Sequence, residues 1–112
     1  MPAAAKTKQQ QVALPVQPEN QRRLQPFAYL LALDFEATCD WKVQPQPQEI
    51  IEVPCLLLNT KSLEVEAIFH EYVRPTAHPI LTDFCTELTG IVQEMVDEKP
   101  DFTEVMEKFD AW

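Results

Sequence analysis

Leu31–Asp40 reads LALDFEATCD, an aliphatic run that drives into two acids, Asp34 and Glu36, separated by one phenylalanine. With the residues before it, the stretch AYLLALDFE (28–36) is almost continuously apolar, the pattern of a strand covered on both faces and therefore central in its sheet. Side chains two apart on a strand point to the same side, so Asp34 and Glu36 converge while Phe35 turns into the opposite layer. Two close carboxylates repel, and the repulsion is relieved by a raised pKa or by a cation. At neutral pH a divalent ion is the better relief, and hard oxygen ligands suit Mg²⁺ or Mn²⁺. The plainer reading is a strand end emerging into solvent; three residues alone do not choose between the two.

Downstream, TCDWKVQPQPQ (38–48) is polar and interrupted by Pro45 and Pro47, which predicts a loop. EIIEVPCLLLN (49–59) is β-branched and aliphatic, a second strand, in which Pro54 lacks a ladder donor and predicts an edge or bulge. NTKS (59–62) supplies a turn. In LEVEAIFHEYVRP (63–75), Leu63, Val65, Ala67 and Phe69 alternate with Glu64, Glu66, Ile68 and His70, which predicts a third strand, wet on one face and antiparallel to the second. The period then changes to 3.6. Thr82 caps TDFCTELTG, with Phe84, Cys85 and Leu88 on one face and Gly90 as the left-handed stop. A short turn at QEMVD follows. Asp101 caps a last helix with Glu104 three residues on, and Phe102, Val105, Met106, Phe109 and Trp112 form its apolar stripe. The order is strand, strand, strand, helix, short helix, helix: an α/β chain.

At 112 residues, the chain has room for one small domain. Its 9 basic and 18 acidic residues are unevenly distributed. Residues 1–26 carry Lys6, Lys8, Arg22 and Arg23 against Glu19 alone, whereas residues 27–112 hold 5 basic and 17 acidic residues, a net of −12. That acidity excludes a basic nucleic-acid patch unless the acids hold cations, which invert the local charge. Residues 1–26, rich in Gln, Pro and Ala, read as a disordered leader whose Arg22–Arg23 pair could touch a phosphate backbone. Residues 27–112 are the structured part. Cys39, Cys55 and Cys85 are odd in number and lack CxxC spacing, which predicts buried free thiols rather than a disulfide framework or zinc site. No signal peptide or membrane-spanning run is apparent, so the expected setting is intracellular, cytoplasmic or nuclear. With Gly90 the sole glycine, no glycine-rich phosphate loop can form.

DFEATCD, PQEIIEVP, LLLNT, YVRP, HPILTDFCTELTGI and VD, in this order, resemble the DEDD-type (DEDDh) 3'-to-5' exonucleases, in the branch that trims histone messenger RNA ends and small regulatory RNAs. The resemblance runs from Tyr29 to Trp112. It implies a ribonuclease H-like fold, a mixed sheet flanked by helices, and two-metal hydrolysis of phosphodiester bonds at single-stranded RNA 3' ends. Carried over residue by residue, it implies that Asp34 and Glu36 are metal ligands and catalytic groups. It also places Ala37 and Thr38 near the terminal nucleotide, and Leu88, Thr89, Gly90 and Ile91 around its base and sugar. Val53 stands where the branch usually has a larger phenylalanine.

The family's remaining two carboxylates and its water-activating histidine belong to motifs that come after the last residue here. His70, in the hairpin strand, and His78, before a proline, sit on the wrong side of those motifs and read as exposed histidines. The expectation is therefore an N-terminal, truncated portion of the domain, inactive alone and marginally stable. The alternative is a non-catalytic nucleic-acid-binding or protein-interaction module.

Overall fold

The structure, a computed structural model, describes residues 25–112. Four strands and two α-helices follow in chain order: β1 (Tyr29–Leu33), β2 (Glu36–Ala37), β3 (Ile50–Asn59), β4 (Val65–Tyr72), α1 (Asp83–Thr89) and α2 (Phe102–Ala111), with a 3₁₀ turn at Gln93–Met95 between the helices. All strand pairings among the described residues are antiparallel. The long strand β3 is the centre. β4 runs along one side of it, and β1 and β2 share the other, β1 against Cys55–Asn59 and β2 against Ile50–Glu52.

β3 earns its place through alternation: Ile51, Val53 and Cys55 are fully buried. Val53 and Cys55 pack with Phe69 of β4, Val73 and Val105 of α2 into one cluster, flanked by Met106 and Phe109. A second cluster joins Ile51 to Cys39, Cys85 of α1, Ile91 and Val96. Burying an aliphatic side chain of this size contributes about 1.5–3 kcal/mol, so β3 is the strand that both helices hold in place. The helix caps follow the sequence. Thr82 Oγ1 accepts from Cys85 N at 3.0 Å, Gly90 takes the left-handed conformation at φ 75°, and Asp101 accepts from Glu104 N at 3.0 Å.

Three expectations are corrected. β1 is an edge strand, paired with β3 alone, and every one of its residues is exposed. An unbroken apolar run reports what a strand could bury, and among the described residues nothing lies beyond β1 to cover it. Second, Pro54 lies mid-strand in the central β3, not on an edge strand. Its effect falls on the neighbour instead. Thr60 N donates to Ala28 O and Val73 N to Ile51 O, so even-numbered residues of β3 turn their backbone groups toward β1 and odd ones toward β4. The nitrogen of Pro54 thus faces Asp34, where a ladder donor is needed and none exists. This accounts for the single predicted strand appearing as two, β1 and β2, parted at Asp34 and Phe35.

Third, the apolar faces are narrower than their spacing suggests. Leu88 is 67% exposed while Phe84 and Cys85 of the same helix pack inward, and Phe102, first in the α2 stripe, is 47% exposed beside a buried Val105, whereas Trp112 at its other end lays its ring against Phe69 and Phe109. The β3–β4 hairpin forms antiparallel as expected, with a register shift between Leu57 and Leu58. Its strand begins at Val65 because Leu63 adopts a left-handed backbone, φ 62°, to close the turn. The predicted leader falls almost wholly on residues 1–24, with its Arg22–Arg23 pair, and these lie outside the described residues.

Candidate active site

Asp34 occupies the break between β1 and β2, and Glu36 opens β2. Cross-strand partners in an antiparallel sheet share a face, so the pairing of Glu36 with Glu52, and of Glu52 with Tyr72, places the three in one row. Asp34, two residues before Glu36, lies on this face beside Pro54, whose partner on β4 is His70. The opposite face holds Val53, Cys55 and Phe69, packed against α2. The result is a sheet with one apolar, helix-covered face and one face bearing acids.

Glu52 is committed locally. Its Oε2 lies 2.6 Å from His70 Nε2. Its neighbour Tyr72 has a hydroxyl pKa raised by partial burial first and then by the nearby Glu52 carboxylate. His70 and Tyr72 meet edge to face, ring centres 4.9 Å apart. Both histidines are exposed, as expected, and His78 Nε2 lies 2.9 Å from Gln46 O. Neither joins Asp34 and Glu36. Among the described residues no three His, Cys, Asp or Glu side chains gather closely enough to hold a metal. Two hard carboxylates on one strand fit the donor chemistry of a divalent cation, but they supply part of a coordination shell only.

The segment after β2 is tied in on two sides. Thr38 is buried; its N–H donates to Glu49 O at 2.8 Å and its hydroxyl accepts from Glu49 N at 2.9 Å, so the threonine extends the sheet past the strand end. Toward α1, Thr82 Oγ1 donates to Cys39 O at 2.6 Å, and the Cys85 thiol reaches Ala37 O at 3.7 Å. Ala37 and Thr38 are thus fixed against the helix that leads into Leu88–Ile91. Thr89 Oγ1 donates to Cys85 O at 2.8 Å and accepts from Ile91 N at 3.1 Å, turning the chain so that Ile91 enters the core cluster of Cys39 and Cys85. Leu88 and Gly90 remain at the surface.

Glu49 went unnoticed in the sequence. Its Oε1 accepts from Thr76 N at 2.7 Å, from Thr76 Oγ1 at 3.3 Å and from Ala77 N at 3.0 Å, and its Oε2 from His78 N at 3.0 Å. Partial burial acts to raise its pKa, but the donors of Ala77, His78 and Thr76 outweigh it and hold the carboxyl below its usual value. Through Glu49 the loop 76–78 is latched to the same backbone that holds Thr38. Its only sequence signal was an acid directly before an aliphatic strand, which carries no information about a partner 27 residues away.

The exonuclease (RNase T) family model matches residues 31–112, and the chain belongs to that family. Within it, the similarity is to the ERI1-type, DEDDh branch. ERI1 exoribonuclease 3 of Homo sapiens is 58% identical over 88 residues, a match that covers 79% of this chain and 26% of the relative. A crystallographic structure of the nuclease domain of 3'hExo, a DEDDh family member bound to rAMP, superposes with a TM-score of 0.72 at 45% identity, covering 78% of this chain and 44% of that one. A structure of a 3'-exonuclease in 3'-end-specific recognition of a histone mRNA stem-loop gives 0.68 at 46% identity, covering 74% and 37%. The chain spans about a quarter of the length of that ERI1 exoribonuclease 3.

Proposed function

We propose that this chain forms the N-terminal metal- and nucleotide-binding part of a Mg²⁺-dependent 3'-to-5' exoribonuclease, acting on single-stranded RNA 3' ends, and that alone it does not hydrolyse RNA. The observation that carries the reading is the shared sheet face of Asp34 and Glu36, with no third ligand beside them among the described residues. Membership of the exonuclease family and likeness to structures holding rAMP and a histone mRNA stem-loop support RNA as the substrate. When two divalent ions are bound in such a site, they neutralise phosphate charge and activate the attacking water. The protein's part is to hold Asp34 and Glu36 on a strand stub, Glu36 paired to β3, and to dock Ala37 and Thr38 against α1. Leu88–Ile91, at the end of that helix, would then bound the terminal nucleotide.

The strong local acidity makes cations a requirement for approach of an RNA phosphate, since nothing in residues 27–112 offers a basic groove. Two measurements test the reading together. Titration of Mn²⁺ followed by electron paramagnetic resonance is expected to show weak binding that Asp34→Ala removes. Incubation of the chain with 3'-labelled single-stranded RNA and Mg²⁺ is expected to leave the RNA intact. Stepwise shortening that disappears in Asp34→Ala would keep the exonuclease assignment and overturn inactivity; unchanged Mn²⁺ binding in Asp34→Ala would overturn the metal site.

A further inference from the structure

Cys39 and Cys85 lie 46 positions apart in sequence, yet they belong to one core cluster and line one cavity of about 460 Å³ between the 38–46 loop and the 78–85 segment. A single hydroxyl measures their approach, for Thr82 Oγ1 donates to Cys39 O at 2.6 Å and accepts from Cys85 N at 3.0 Å. Both side chains pack into that one cluster. Cys55 is also fully buried, but in the other cluster, with Val53, Phe69 and Val105. One pair and one isolated thiol therefore share the chain.

We propose that Cys39 and Cys85 form a modification site, a dithiol that a two-electron oxidant of the peroxide class converts to a reversible disulfide, cross-linking the segment after β2 to α1. The cavity brings a small oxidant to Cys39, and Cys85 lies in the same wall. Cys39, slightly exposed where Cys85 is fully buried, meets it first. Its thiolate attacks one peroxide oxygen, the O–O bond breaks, and the departing hydroxide takes up the thiol proton as water. The Cys85 sulfur then attacks the sulfenic sulfur of Cys39; the S–S bond forms, the S–O bond breaks, and a second water leaves with the Cys85 proton. Two thiols and one peroxide give one disulfide and two waters, and a dithiol reductant reverses the change.

The step is slow by design of its surroundings. Burial first, and then Cys85 and the charges of Glu36 and Asp40, push the Cys39 thiol up to about 11, so that at pH 7 roughly one thiol in 10,000 is ionised. The pair responds to sustained oxidation and not to a brief pulse. Its product adds a covalent link between two segments now held by hydrogen bonds and core packing.

The test treats the reduced full chain with about 1 mM hydrogen peroxide and follows intact mass and a non-reducing peptide digest. The expected result is a loss of about 2 Da, a peptide pair linking Cys39 to Cys85, one alkylatable thiol remaining at Cys55, and full reversal by dithiothreitol. Cys55→Ser should still form the bridge, and Cys39→Ser and Cys85→Ser should not. The wild-type digest decides even if a serine variant fails to fold. Mass gain in oxygen steps, a bridge that includes Cys55, intermolecular dimers alone, or three thiols still alkylatable after prolonged treatment would each overturn the proposal. Once formed, the bridge is expected to slow amide hydrogen exchange in α1 by about tenfold or more, since opening of that helix from the sheet is then closed off.

Discussion

β1 and β3 are neighbours in one sheet, both aliphatic and in antiparallel register, yet β3 buries Ile51, Val53 and Cys55 completely while Leu31 of β1 is 55% exposed. The difference lies in partners and not in composition. β3 has strands on both sides and both helices over its residues; β1 has β3 on one side and, among the described residues, no strand on the other. Hydrophobicity states what a strand can gain by burial, and topology decides whether it does. The same contrast bears on the proposed site, since Asp34 and Glu36 stand at the end of the poorly supported strand while the well-packed strand supplies the register that Glu36 pairs with.

The widest split between the two regions is expected in core truncation. Ile51→Ala should destabilise the chain by about 2–4 kcal/mol, because it leaves a cavity in a cluster that cannot collapse freely. Leu31→Ala should cost under about 1 kcal/mol, since it removes little buried surface. Chemical denaturation of both variants measures this. Equal losses would show that β1 is covered in solution, and that the exposed edge is not the strand's working state.

How far the sequence disclosed this arrangement depends on the range of each interaction. Both helix caps, Gly90, the hairpin and the burial of all three cysteines were legible, because each is set by residues within a few positions or by side-chain type. The proposal that Asp34 and Glu36 act together rests on the two-residue period of a strand and on the family resemblance. What was hidden depends on partners far away in sequence: the break at Asp34 is imposed by Pro54 across the ladder, and Leu88 is exposed because α1 packs through Cys85 and Phe84. The role of Glu49 was hidden for the same reason. Of the proposed nucleotide-pocket residues, the family resemblance indicated all, while the spacing of Leu88–Ile91 showed only a helix stop.

The next smaller effect probes the latch that supports the site. Glu49→Gln keeps the size of the side chain but weakens the bonds to Thr76, Ala77 and His78, and is expected to cost about 1 kcal/mol at neutral pH for a partly exposed group. The pH dependence has a definite sign. A carboxyl whose folded pKa lies below its unfolded value, here the usual 4.5, stabilises the fold above that value, and the contribution is lost as pH falls through the lower folded pKa. Wild type should therefore lose stability in acid below about pH 4.5 more steeply than Glu49→Gln. Parallel acid curves for the two proteins would show that the latch does not hold the loop.

The smallest effect, of opposite sign, lies at the far end of the sheet from the acids. Leu63 is exposed and holds φ at 62°, where its Cβ crowds the following carbonyl and only glycine sits without strain. The turn needs that conformation, because Leu63 N donates to Asn59 O at 2.9 Å and Asn59 N to Glu64 O at 3.0 Å. Leu63→Gly should therefore raise stability by about 0.5–1 kcal/mol, the relief of strain exceeding the added flexibility of the unfolded chain. Leu63→Ala keeps the Cβ and should change little. A gain from both variants would trace the effect to removal of an exposed apolar side chain instead of to the backbone. A loss from glycine would mean that Leu63 packs against a surface beyond the hairpin, and that this end of β4 has a neighbour still to be found.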